Sequence, residues 1–253
     1  MTSAHFLYIL HLADNALIAG HRNSEWTGHG PILEQDIAIS NIALDLIGQA
    51  RNLYQHAAEI YNGQLAVCKP LISSPAFQLV QGKIDEDDLA YLRDANEYYN
   101  VLLVEETNGD WAKSMLKQFF FSCYQQVLFS ELIHSTDTQL AAIAEKSLKE
   151  VNYHLGWSGE WVIRLGDGTA ESHSRMQSAI DTLWKYTGEL FQPASYETEL
   201  VASGFAADLS KLKSSFTAKV EATLSMATIP LPGNSWMQQG GKTGVHTEHL
   251  VFL

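Results

Sequence analysis

Residues 37–58 read IAISNIALDLIGQARNLYQHAA and carry only two formal charges, Asp45 and Arg51. A helix on a protein surface keeps a polar, charged face opposite its apolar stripe. Here Ile39, Ala43, Leu46, Ala50, Leu53, Ala57 and Ile60 form an unbroken apolar seam at alternating spacings of four and three. Ile37, Leu44, Ile47, Tyr54 and Ala58 flank it as a second row, which leaves a narrow stripe of Asn41, Asp45, Gly48, Asn52 and His56. This pattern predicts a helix in the middle of a bundle. An acid in such a place must be paired, protonated, ligating or at an interface.

Working outward, long stretches share the 3.6-residue period and only six prolines interrupt them, so the chain reads as all-α. An earlier helix is expected over 4–19, with Gly20 as its stop. After residue 61 the pattern breaks, and 64–83 reads as a loop or insertion. Asp85 to Asp88 place acids where the positive end of a helix dipole favours them, predicting a helix over Asp88 to Tyr98 that continues or kinks into NVLLVEE. Asp110 is a candidate N-cap for a helix over 111–135, whose segment 118–130 (QFFFSCYQQVLFS) holds no charge and must be buried. A fourth long helix is expected over 139–165, with further helices over 172–191 and 209–226. Four long helices, two of them nearly uncharged, predict one domain over 1–253 with a ferritin-like four-helix bundle and additional C-terminal helices. A generic helical bundle is the alternative from pattern alone.

The bulk composition narrows the function classes. Net charge is −13, which argues against nucleic acid and anionic membrane as partners. Cys68 and Cys123 are too few for a disulfide framework, so a reducing, cytoplasmic compartment is expected. The apolar N-terminus lacks a basic start and is interrupted by Asp14 and Asn15, so neither a signal peptide nor a membrane span is expected.

Di-iron carboxylate bundles take a Glu from each of two helices and a Glu-x-x-His from each of the other two. Against that requirement the first helix offers only Asp14. The second offers Asp45, but Gly48 stands three residues later. The third has no carboxylate between Lys117 and Glu131, only Gln125 and Gln126, and the fourth offers Glu150 with His154 four residues on. This is a thin donor set for iron. Each candidate also has a structural role open to it: Asp45 pairing with Arg51 or Lys149, Glu150 pairing with Lys146, and His154 as a hydrogen-bonded core histidine. In the tail, Gly241-Lys242-Thr243 resembles the end of a phosphate loop, yet the earlier glycine position is Trp236 and no strand precedes it. His246-Thr247-Glu248-His249 fits neither zinc-protease spacing, and charge-assisted hydrogen bonds at an interface are the better expectation.

Four segments carry a family resemblance: 14–52 with HRNSEWTGHGPILEQDIAISNIALDLIGQARN, then NVLLVEETNGDWAKSM, EKSLKEVNYH and GGKTGVHTEHL. Together they resemble the structural subunits of bacterial ring-1,2-phenylacetyl-CoA epoxidases over nearly the whole chain. The resemblance implies a ferritin-like subunit that has lost the di-iron ligands, with Asp14, Asp45, Glu150 and His154 as remnants, and that binds no cofactor itself. It implies a homologous catalytic partner holding the di-iron centre and the thioester, with a reductase and small accessory subunits also in the complex. The residues expected at the partner interface or in a polar network are Asp45, Arg51, Asn52 and Lys149, together with Lys242, His246, Glu248 and His249 of the tail, with Asp45 holding a buried polar network together. The sequence leaves open whether the chain contacts coenzyme A; a basic residue near the interface such as Lys242 would be the one to meet its phosphate. The alternative reading is a metal-binding oxidoreductase in its own right using Asp45, Glu150 and His154. The 64–83 loop is longer than the family pattern, and the resemblance implies a further helix after His249, where this sequence reaches Leu253.

Overall fold

The computed structural model describes residues 1–233 and 236–252. Four long helices make the core: α1 (Ser3–Glu25), α2 (Leu33–Gly63), α7 (Trp111–Leu132) and α8 (Thr138–Gly166). Between α2 and α7 lie the short α3 (Leu65–Cys68), α4 (Pro75–Gln78), α5 (Glu86–Tyr91) and α6 (Leu102–Glu105). After α8 come α9 (Ala170–Leu183), α10 (Ser195–Val201) and α11 (Leu209–Met226). There is no strand among the described residues, and the architecture is the all-α, ferritin-like bundle that the periodicity predicts.

The four long helices close into a ring, and each neighbouring pair can be named by a contact. Gly20 of α1 approaches α2 so closely that a Cβ there would stand 3.0 Å from Ile47 Cγ1 and 3.4 Å from the Ala43 carbonyl oxygen. Asp45 of α2 reaches His154 of α8, Gly159 of α8 lies against the Phe119 ring of α7, and Gln118 of α7 accepts from Asn23 of α1. Along α2 and α8 the partners run Gln35 with Trp161, Asp45 with His154, Gln49 with Glu150 and His56 with Asp137, which is an antiparallel register. Apolar side chains of these helices and of α9 to α11 form one connected core.

Several sequence expectations need correction. Gly20 does not end α1, which continues to Glu25; the residue is small because a second helix crosses it. The helix expected from Asp88 to Tyr98 is instead one and a half turns, Glu86–Tyr91, capped by Asp85, and the chain then turns through Ala95–Glu97 before the buried turn α6. The 172–191 helix stops at Leu183 and gives way to two 3-10 turns, and α10 has no counterpart among the expected helices. The 64–83 insertion holds α3 and α4 and is closed at its base by Asn62, whose amide donates to the Ile84 carbonyl while its oxygen accepts from the Ile84 amide. Leu253 lies outside the described residues. The seam from Ile39 to Ile60 is buried throughout, yet Ile37 and Leu44 of the flanking row are exposed. The helix 37–58 is therefore walled by α1 and α8 but open on a third side.

Candidate functional site: the polar centre of the bundle

At mid-height, α2 and α8 each carry a polar pair at i and i+4: Asp45 and Gln49 on one, Glu150 and His154 on the other. Because residues four apart share a helix face and the helices run antiparallel, the pairs meet crosswise. His154 Nε2 lies 3.0 Å from Asp45 Oδ2, and Gln49 Nε2 donates to Glu150 Oε2 at 2.9 Å. Gln125 on α7 adds a third side, donating from Nε2 to Gln49 Oε1 at 3.3 Å. His154 is fully buried while Asp45 is about one-third exposed, so the pair links the interior to the open side of α2.

The electrostatics follow from burial. Desolvation raises the Glu150 pKa, reinforced by the Asp45 charge and opposed by the Gln49 hydrogen bond and Lys146. Burial lowers the His154 pKa against the pull of Asp45. Two buried side-chain atoms stay unpaired, His154 Nδ1 and Gln125 Oε1.

Tested as a di-iron cradle, this set fails. Its acids are two, Asp45 and Glu150, and the groups completing it on α2 and α7 are the neutral amides of Gln49 and Gln125. Both acids already take hydrogen bonds, Asp45 at His154 and Glu150 from Gln49. Among the described residues no three His, Cys, Asp or Glu side chains are grouped so as to hold a metal ion. Asp14 does not join them. It sits in a separate knot, where Tyr54 Oη donates to it at 2.5 Å, the Arg93 guanidinium pairs with both carboxylate oxygens and the Tyr99 amide donates at 2.8 Å. The proposed partners of Asp45 are elsewhere too: Arg51 bonds Glu86 at 3.1 Å, and Lys149 is exposed on α8. Asn52 is half-buried one turn beyond Gly48.

The tail is an anchor. Lys242 is buried, and its Nζ donates to both oxygens of Glu197 (3.0 and 3.2 Å) and to the Gln192 carbonyl at 3.1 Å. Its ammonium points into the molecule, which corrects the expectation of a partner-facing or phosphate-facing lysine. The glycines around it have steric causes: Gly240 and Gly244 adopt φ of +146° and +80°, and a Cβ on Gly241 would fall 2.1 Å from the Asn100 carbonyl oxygen. Glu189 accepts from the Gly240 and Gly241 amides at 2.8 Å each. His246 uses both ring nitrogens on acceptors, Nδ1 on Glu105 Oε1 at 2.6 Å and Nε2 on the Tyr98 carbonyl at 2.8 Å. Burial alone would lower its pKa, but Glu105 and that carbonyl outweigh it and raise it. Thr247 donates from its amide and hydroxyl to the same Glu105, and the His249 carbonyl accepts from Arg22 at 3.0 Å. Of the four tail residues placed at an interface by the sequence, only Glu248 is exposed.

A family model described as phenylacetic acid catabolic protein matches residues 1–253. The chain belongs to that family. It is 42% identical over 243 residues to the C-designated subunit of 1,2-phenylacetyl-CoA epoxidase from Escherichia coli strain K12, covering 96% of this chain and 90% of that relative.

For this phenylacetic acid catabolic protein no described helix is long and apolar enough to cross a membrane. Sequence reasoning missed Gln49, whose signal is its spacing of four from Asp45, matching the spacing of Glu150 and His154. It also missed the buried acids Glu105, Glu189 and Glu197. Their signal is weaker, since each stands in a short helical turn rather than on a periodic face.

Proposed function

We propose that this chain is the non-catalytic structural subunit of a phenylacetyl-CoA epoxidase complex acting in aerobic phenylacetate breakdown in the cytoplasm. It pairs with a homologous catalytic subunit that holds the di-iron centre and the thioester, alongside a reductase and small accessory subunits. The observation that carries this reading is the crosswise network of Asp45, His154, Gln49, Glu150 and Gln125. It lies where a ferritin-like bundle would hold its metals, and its hydrogen bonds tie α2, α8 and α7 together in place of ion coordination. A buried polar network of this kind fixes helix register, and removing one partner leaves a further desolvated group behind. The chain's contribution is then a rigid bundle of the catalytic subunit's own shape, against which that subunit is stabilised. The family membership and the named relative support the assignment to the epoxidase.

The test is co-expression of this chain with the homologous di-iron subunit. The reading expects a stable complex and a gain in the partner's soluble yield and epoxidase activity. Failure of the two chains to co-purify contradicts it. Epoxidase activity in this chain purified alone supports instead a metal site built on Asp45, Glu150 and His154.

A further inference from the structure

A second polar cluster lies away from the bundle centre, where the last turns of α2 meet the start of α8. His56 and Glu59, three residues apart, share a face of α2, and Asp137 stands just before α8. A cleft of about 370 Å³ opens between them, with Met1 and Ile60 in its apolar lining. His56 is 3% exposed, yet neither of its ring nitrogens meets a hydrogen-bond partner among the described residues. Nε2 stands 3.2 Å from Asp137 Oδ2 and Nδ1 stands 4.0 Å from Glu59 Oε2, and neither approach has hydrogen-bond geometry.

This arrangement lacks a donor. A neutral imidazole carries one N–H and one bare nitrogen, so in either tautomer a ring lone pair and a carboxylate stand side by side as acceptors. Buried polar atoms are costly to leave unpaired, and such a gap in a cleft calls for an occupant. The carboxylates are also short of cations. Asp137 gives Oδ1 to the Leu140 amide as the cap of α8, its side chain is 7% exposed, and His56 is its one ion-pair neighbour among the described residues. Glu59, exposed at the mouth, has the same sole neighbour. No Lys or Arg lines the cleft, and its one formal cation is the amino terminus of the exposed Met1.

We propose that this cleft binds a short aliphatic diamine, with one ammonium between His56 and Asp137 and the other at Glu59. A single metal ion fits poorly, because the two carboxylates face opposite nitrogens of one ring and no three donors converge. Two ammonium groups separated by a few methylenes match the two acids. Each brings three N–H donors, enough to meet a ring lone pair and a carboxylate at once, and the methylenes lie against Ile60 and Met1. The cleft has the volume of a small-molecule site, and its acids disfavour an anion. The inference stands independently of the function proposed above.

The test is calorimetric titration of 1,4-diaminobutane into the full chain with an untagged N-terminus. Salt at about 0.15 M screens the general attraction of a cation to a chain of net charge −13. The expected result is one saturable site, at least about tenfold tighter for the diamine than for butylamine. His56→Gln, Asp137→Asn and Glu59→Gln each weaken it at least about tenfold, while Glu221→Gln, an exposed acid on α11, leaves it unchanged. Asparagine still caps a helix and Glu59 is exposed, so those two variants keep the test intact where His56→Gln fails to fold. Absence of saturable binding overturns the proposal, and so does wild-type affinity in both Asp137→Asn and Glu59→Gln. Equal weakening in Glu221→Gln also overturns it, since that marks attraction to the overall charge.

Discussion

Lys117 lies on α7 with its amine wholly inside the protein, donating to the Glu106 carbonyl at 2.5 Å and to Asn108 Oδ1 at 2.9 Å. Burial lowers its pKa to about 7, with the charges of Arg22 and Lys113 acting in the same sense and Glu106 and Glu25 against it. The folded value lies below the unfolded value of 10.5, so between those limits the unfolded chain holds a proton that the folded chain gives up. Stability from this group therefore rises with pH from about 7 to about 10.5 and is constant outside that window. At 1.36 kcal/mol per pKa unit, the penalty of burying the amine falls from about 4 kcal/mol at pH 7.5 to about 1.4 kcal/mol at pH 9.5, a gain of about 2.5 kcal/mol. Lys117→Met removes that titration but orphans two acceptors at about 1–3 kcal/mol each, so its net effect at pH 7.5 is small. The informative quantity is the difference between the two proteins at the two pH values, in which other titrating groups cancel. Urea unfolding followed by circular dichroism at pH 7.5 and 9.5 should show wild type gaining about 2.5 kcal/mol relative to Lys117→Met. Parallel pH dependences would refute a buried amine with a depressed pKa.

The tail anchor makes three further predictions. Lys242→Ala leaves Glu197 charged and buried, and should cost about 3–5 kcal/mol in unfolding experiments, with part recovered when Glu197→Gln is added. For His246 the folded pKa is raised, so its stabilisation is fully present below the unfolded value near 6.5 and is lost as pH rises through the folded value. Denaturation across that window should show His246→Gln losing stability relative to wild type only on the acid side. Gly241→Ala drives a Cβ into the Asn100 carbonyl and should lower the melting temperature, whereas Gly156→Ala, in open space, should raise stability by about 1 kcal/mol; thermal melts of both test the contrast.

The fold was legible where one physical cause controlled the pattern. The seam from Ile39 to Ile60 reads as buried because apolar side chains at alternating spacings of three and four leave no other way to hide them, and all seven of its residues are buried. The charge-free run from Gln118 to Ser130 sits inside the bundle for the same reason, with Gln118, Ser122 and Gln125 each hydrogen-bonded to a neighbour. Legibility failed where two causes share a signature. Ile37 and Leu44 look like core residues yet are exposed, because apolar spacing does not say which sides of a helix its neighbours cover. Gly20 looks like a stop, because a glycine that ends a helix and one that admits a crossing helix are the same residue. Lys242, Glu105 and Glu189 look like surface charges, because the backbone amides and carboxylates that satisfy them come from segments about 45 to 140 residues away.

On the function proposed above, the polar centre of this bundle holds itself together and the metal sits in a partner. Iron per chain decides it most directly, measured by elemental analysis on this chain expressed alone with added iron and on the complex with the homologous subunit. The isolated protein should hold far less than one iron per chain, unchanged in Glu150→Ala, and the complex the full complement attributable to the partner. Near-stoichiometric iron in the isolated chain, lost on Glu150→Ala, would contradict it.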